Sequence, residues 1–240
     1  MLPVDISSHG YLVDRVIKIV LIGIVIIGIF SFSVLIYMLW AFRRTKNPNP
    51  LPDVPPLLKK VVLIDYAMIV FDILLLVISS YAWIFFFVRP ADKIKQEIVR
   101  KGENYIDVKA IGRQYFWTFH YPGKDGKFGT SDDFKLGNLL VVPQNSNIFV
   151  EVESKDVLHS FFVPSARMKY DAIPGRKTRV WFKPVQVGEY EIVCAELCGA
   201  MHYNMKAILK VLPPQEYEDW LKNPLKIAKG QDLFDTLVRR

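Results

Sequence analysis

The chain has 240 residues, 51% of them apolar, with two cysteines and a formal charge of +7. That mixture suits one domain of moderate size plus membrane segments. No basic stripe or Arg-rich motif points to nucleic acid, and no internal repeat or low-complexity run points to a solenoid or a disordered chain.

Residues 1–15 are short and polar and lack the pattern of a cleaved leader. Residues 16–42 run apolar with Lys18 as the single charge. As a helix they would be about 40 Å long, enough to cross roughly 30 Å of hydrocarbon with some tilt. Residues 61–88 form a second span whose end gathers Tyr81, Trp83, Phe85, Phe86 and Phe87, as an interfacial belt does. The proline-rich loop between them carries Arg43, Arg44, Lys46, Lys59 and Lys60 against Asp53. That excess of basic residues predicts a cytoplasmic loop and places both termini outside. Asp65 and Asp72 lie on one face of the second span. A carboxylate at mid-membrane costs about 2.5–3.5 kcal/mol, so Asp72 implies a polar partner, either structural or proton-handling. Residues 1–90 therefore read as a membrane hairpin.

After Pro90 the pattern turns to short alternating runs. Strands are predicted over 105–111, 114–121, 134–142, 148–152, 178–183, 190–195 and 203–212. Strands at this spacing build a β-sandwich or Greek-key barrel over 91–222. A helix over 215–221 packs Trp220 against it, and 223–240 is a tail. The 125–133 segment, with Asp125, Asp132 and Asp133, reads as an extended hairpin turn. Calcium binding is the alternative, though the alternating acids and closing glutamate of an EF-hand are missing.

Cys194-Ala-Glu-Leu-Cys-Gly-Ala-Met-His-Tyr-Asn-Met205 holds both cysteines, one histidine and two methionines. Thiolate, imidazole and thioether form a soft donor set that suits copper better than zinc or iron–sulfur. Three readings compete: a Cys194–Cys198 disulfide, a thioredoxin-like copper carrier, and a copper electron-transfer site with His159 as a distant ligand. A disulfide leaves His202 and Met205 unexplained. A carrier's cysteine pair belongs at a helix start after an early strand, whereas this pair comes late in a β-rich region.

Together with Asp156-Val-Leu-His-Ser-Phe-Phe-Val-Pro-Ser-Ala-Arg-Met-Lys-Tyr-Asp-Ala-Ile-Pro-Gly-Arg176, this block resembles subunit II of cytochrome c oxidase over nearly the whole chain. The resemblance implies a two-helix transmembrane hairpin followed by an all-β cupredoxin-like Greek-key barrel. It also implies a dinuclear copper A centre held by His159, Cys194, the Glu196 backbone carbonyl, Cys198, His202 and Met205. The Glu196 carboxylate would help hold a magnesium or manganese ion shared with the catalytic subunit. Lys169, Asp171 and Arg176 would face that subunit. Tyr115, Phe116 and Trp117 stand where the family takes up electrons, with Tyr115 in place of the usual tryptophan, and Arg167 replaces a usual glycine. Electrons would come from a c-type cytochrome and pass to haem in the catalytic subunit, where oxygen is reduced to water. Further oxidase subunits are expected, in a bacterial plasma membrane with the copper domain on the periplasmic side. A nitric oxide reductase subunit and a membrane-anchored copper-delivery protein are the alternatives.

Two cysteines argue for two metals, since a mononuclear blue site needs one. Residues 91–240 carry 23 basic and 19 acidic side chains. That balance predicts an acidic or near-neutral donor docking on an apolar patch around 115–117. His9 and His120 read as structural or surface residues. The segment from Ala228 to Phe234 resembles the opening helix of a cytochrome c domain. No Cys-x-x-Cys-His motif accompanies it, so the haem donor is expected to be another protein.

Overall fold

The computed structural model describes residues 3–41, 43, 55–86, 91–123, 125–222 and 224. It divides into two compact units, Val16–Arg89 and the combination of Met1–Arg15 with Pro90–Arg240.

In the first unit, α1 (Gly10–Ala41) and α2 (Pro55–Phe86) are both long helices. Leu, Ile, Val and Phe side chains stand exposed along α1, with only Gly10 buried. Water would not tolerate that surface, and its length is enough to cross a bilayer. It is the one helix among the described residues that meets both requirements, since the described apolar stretch of α2, Tyr66–Tyr81, is shorter. Asp72 stands exposed on it. Residue 42, loop residues 44–54, Phe87 and the tail 223–240 (except residue 224) lie outside the described residues. So do the side chains of Lys59, Lys60, Asp65, Trp83, Phe85 and Phe86.

In the second unit residues 3–15 are followed by a helix that alternation did not predict, α3 (Ala91–Lys101), and then, among the described residues, by ten strands rather than seven. One sheet combines β1 (Tyr105–Arg113), β2 (Phe116–Tyr121), β3 (Phe134–Gly137), β5 (Asn147–Ser154) and β8 (Thr178–Phe182), in the order β3-β2-β1-β5-β8. The other combines β4 (Leu139–Pro143), β6 (His159–Val163), β7 (Met168–Ala172), β9 (Gly188–Cys194) and β10 (Lys206–Leu212), in the order β4-β10-β9-β6-β7. The single strand expected over 134–142 is therefore two strands in different sheets. Asn138 turns the corner at φ 48°, and its side-chain oxygen accepts the Trp117 N–H at 2.8 Å. Asn tolerates that conformation better than other non-glycine residues.

The sheets close over Trp117, Phe119, Tyr121, Phe161, Phe182, Ile192 and Leu209, all essentially inaccessible. Tyr121 on β2 joins them, since its hydroxyl donates to the Val141 carbonyl on β4 and accepts the Val141 N–H. The closing helix α4 (Pro214–Lys222) sets Trp220 edge-on to Tyr121 and Phe134.

The boundary expected at residue 90 needs correcting at its amino-terminal side. Residues 3–15 belong to the sandwich, because Ile6 is wholly buried there and the backbone continues the sheet bonding. Ile6 N–H donates to the Ser165 carbonyl at 2.8 Å, and Val185 N–H to the Ile6 carbonyl at 2.7 Å. Arg167 clasps the segment: its guanidinium meets Asp14 at 2.6 and 3.0 Å and donates to the Pro3 carbonyl at 2.7 Å. Removing the Arg167 guanidinium, 6% exposed, takes charge-assisted hydrogen bonds from Asp14, whose side chain is 23% exposed. Arg167→Ala should cost about 1.5–3 kcal/mol, read as a lower denaturant midpoint together with faster proteolysis ahead of α1. An unchanged midpoint would show that the clasp adds no stability.

Candidate metal centre

Five side chains and one carbonyl converge from two blocks of sequence. His159 begins β6, Cys194 ends β9, and antiparallel pairing of Phe161 with Cys194 brings the two blocks together. The chain then bends at Glu196 and Gly199 and makes a short 3-10 turn at His202–Asn204, which Met205 closes just ahead of β10. The pairing of β9 with β10 and the Cys194 N–H to Met205 carbonyl bond, 3.1 Å, fold this loop back on itself.

The ligand atoms of His159, Cys194 and Cys198 all lie within 4.8 Å of one another. The two Sγ atoms are 3.8 Å apart, and both cysteines are free thiols. Cys194 Sγ lies 3.9 Å from His159 Nδ1 and donates to the Glu196 carbonyl at 3.2 Å. Cys198 Sγ lies 3.5 Å from His202 Nδ1 and 3.8 Å from Met205 Sδ. Each thiol thus has one imidazole and one further donor beside it. His159, Cys194, Cys198 and Met205 are buried, and His202 is partly exposed. Two thiols, two imidazoles and a thioether around one point fit copper, the soft-donor choice.

Sequence reading missed the groups that hold these donors. Asp156 Oδ1 meets His159 Nε2 at 2.8 Å, while its Oδ2 accepts the Gln114 N–H at 2.7 Å. Burial pushes the Asp156 carboxyl up. Hydrogen bonds from the Gln114 N–H, His159 and the Val157 N–H outweigh that and hold it at about 2. The ionised carboxylate accepts a proton-bearing Nε2, which leaves Nδ1 free to face the thiols. Gly112 makes room for this arrangement, because a Cβ there would sit 3.1 Å from both the His159 ring and Trp117. The Gln114–Asp156 bond spans 42 residues, so no local pattern signals it, whereas Asp156 and His159 are only three residues apart.

Burial, then the neighbouring Cys194, pushes the Cys198 thiol up to about 11. The thiol is therefore protonated at neutral pH, and a metal must displace its proton. Loading copper into the metal-free chain should release at least one proton per site, seen with an indicator dye in weak buffer. Apparent affinity should rise about tenfold per pH unit for each proton displaced. Proton-neutral uptake would mean that the thiols are not the ligands.

Trp117 needs a correction: it is fully buried, edge-on to His159 with ring centroids 6.0 Å apart, and so cannot belong to a docking patch. Tyr115 and Phe116 are half-buried. The exposed apolar side chains near the centre are instead Leu197, Met201 and Tyr203 in the cysteine loop, with Val157 and Leu158 ahead of His159. Lys169, Asp171 and Arg176 are exposed. His9 stacks on Trp181 at 5.3 Å, and burial lowers its pKa; burial and the nearby Lys135 and Lys109 lower that of His120. Neither is part of the cluster. In the 125–133 loop, Asp125, Asp132 and Asp133 accept bonds from the loop's own N–H and hydroxyl groups, as a turn requires.

A two-sheet sandwich with paired thiols, imidazoles and a thioether buried at a loop end is a cupredoxin-like domain with a soft-donor metal centre. A family profile described as cytochrome c oxidase subunit II, periplasmic domain, matches residues 106–212. The alternative cytochrome c oxidase subunit 2 of Bradyrhizobium diazoefficiens is 35% identical over 161 residues, 58% of this chain and 58% of that protein. The probable cytochrome c oxidase subunit 2 of Rickettsia bellii is 29% identical over 84% of this chain and 75% of its own. Among solved structures, the periplasmic domain of cytochrome oxidase subunit II of Bradyrhizobium japonicum is 36% identical. That match covers 50% of this chain and 94% of that one, with a TM-score of 0.45. Residues 106–212 belong to the family of cytochrome c oxidase subunit II periplasmic domains. The chain spans 58% of the length of its Bradyrhizobium diazoefficiens relative.

Proposed function

We propose that this chain is the electron-accepting subunit of an aerobic respiratory cytochrome c oxidase. It takes electrons from a c-type cytochrome and passes them to haem in a catalytic subunit, where oxygen is reduced. The observation that carries this reading is the convergence of His159, Cys194, the Glu196 carbonyl, Cys198, His202 and Met205 on one buried point. A copper pair held there supplies one-electron chemistry, with the charge shared over two metals.

The protein's own work is to keep the ligands still. Asp156 fixes the His159 ring, the β9–β10 pairing fixes the cysteine loop, and Trp117 and Phe161 wall off water. Ligands that barely move on gain or loss of an electron lower the cost of each transfer. Two thiols 3.8 Å apart suit bridging between two metals, and a mononuclear blue site would leave one of them idle. The names of the curated relatives favour an oxidase over a nitric oxide reductase or a copper-delivery protein.

The same reading places α1 and α2 across the membrane as a hairpin, with the sandwich outside and on the periplasmic side in a bacterium. The domains are then the hairpin, the sandwich to residue 222 and a tail over 223–240. Glu196 would share a magnesium or manganese ion with the catalytic subunit, and Lys169, Asp171 and Arg176 would face it. Leu197, Met201 and Tyr203 offer the donor an apolar landing site, with Tyr115 beneath it as the receiving ring. Metal analysis of the purified full chain tests the reading. Two coppers per chain with one unpaired electron spread over both support it, and one copper with an ordinary blue spectrum refutes it.

A further inference from the structure

We propose that Gln114 is a positioning residue of the metal centre, tying the His159 block to the cysteine loop; this rests on the copper-site reading above. Gln114 makes two bonds in opposite directions. Its backbone N–H donates to Asp156, the residue that holds His159. Its side-chain Nε2 donates to the Cys198 carbonyl at 2.6 Å, across 84 residues of sequence. One residue thereby links the carboxylate that holds the His159 imidazole to the backbone of Cys198.

The cradle on the cysteine side is close. Gly199 has φ +135°, and a Cβ there would lie 2.8 Å from Gln114 Nε2 and 2.5 Å from the Tyr115 hydroxyl. The Cys198–Gly199 backbone is thus shaped to receive both the Gln114 amide and the Tyr115 ring. Tyr115 follows Gln114 directly, so the link that steadies Cys198 also holds the half-buried Tyr115 ring against the ligand loop. Gln114 is itself exposed. Changing its side chain opens no cavity in the core, and its backbone bond to Asp156 survives any substitution except proline.

Two variants of the full chain in detergent, Gln114→Glu and Gln114→Met, keep the length of the side chain and remove its donor. Copper-loaded protein is challenged with a chelator while the electron spin spectrum is recorded. Both variants should release copper about tenfold faster than the unchanged chain, the lower end of the usual effect of losing a ligand's hydrogen-bond partner. Both should also alter the copper hyperfine pattern, because the Cys198 thiolate changes its angle. Unchanged release and spectrum in both variants would overturn the proposal. Faster release with an unchanged spectrum, or loss of folding in both, would also overturn it by making Gln114 a plain stabiliser. If the unchanged chain itself bound no copper, the site reading would fail and take this one with it. Copper in the unchanged chain with indifferent variants would remove this proposal alone.

Discussion

Cys198→Ser should reduce the chain from about two coppers to about one or none. The serine hydroxyl holds its proton far more tightly than the thiol, which itself needs a metal to displace a proton from about 11. It cannot bridge. What remains beside Cys194 is His159 and the Glu196 carbonyl, while His202 and Met205 lose the thiol they stood beside. A single thiolate with imidazole ligands is the donor type of a mononuclear site. Any copper still bound should therefore show its electron localised on one metal, by electron spin resonance. Two coppers retained with a delocalised electron would show that Cys198 is not a bridge.

Gly199→Ala should be nearly as damaging without touching a ligand. At φ +135° a side chain costs about 1–3 kcal/mol in backbone strain. The new methyl would also meet Tyr115 and Gln114. If Gln114 withdraws, the Cys198 carbonyl loses its donor, which adds about 1–3 kcal/mol. Denaturant unfolding of the metal-free chain should show a loss of about 2–6 kcal/mol, accompanied by weaker copper retention. A stability within 0.5 kcal/mol of the unchanged chain, roughly the noise for surface substitutions, would mean that the loop relaxes freely and is not pre-shaped.

The cysteine loop was readable because five of the six donors fall within a dozen residues, where composition alone singles them out. His159 entered as the distant ligand of one of three readings, and the family resemblance singled it out, since nothing local marks one histidine of four as a ligand. The hydrophobic runs gave most strands but joined β3 to β4, because apolar residues continue through the corner that Asn138 turns. β6 and β7 escaped as strands. β6 is buried on both faces for most of its length and so shows no alternation. The docking of residues 3–15 was not legible either. It depends on Ile6 finding a hole between distant strands and on an Arg167–Asp14 pair 153 residues apart. Gln114 was hidden for the same reason, since its partners Asp156 and Cys198 lie 42 and 84 residues away. Asp156 lies three residues from His159, and only its bond to Gln114 depends on distant strands.

The claim at the centre of this account is that the buried cluster accepts an electron from a reduced c-type cytochrome. Rapid mixing of the copper-loaded chain with such a cytochrome, followed at the haem and copper bands together, tests it most directly. The account predicts that haem oxidation and bleaching of the copper band proceed at one rate, with one electron per pair of coppers, and that copper-stripped chain gives neither. Equal haem oxidation by loaded and stripped chain, or a copper band that stays while copper moves to an acceptor protein, would contradict it.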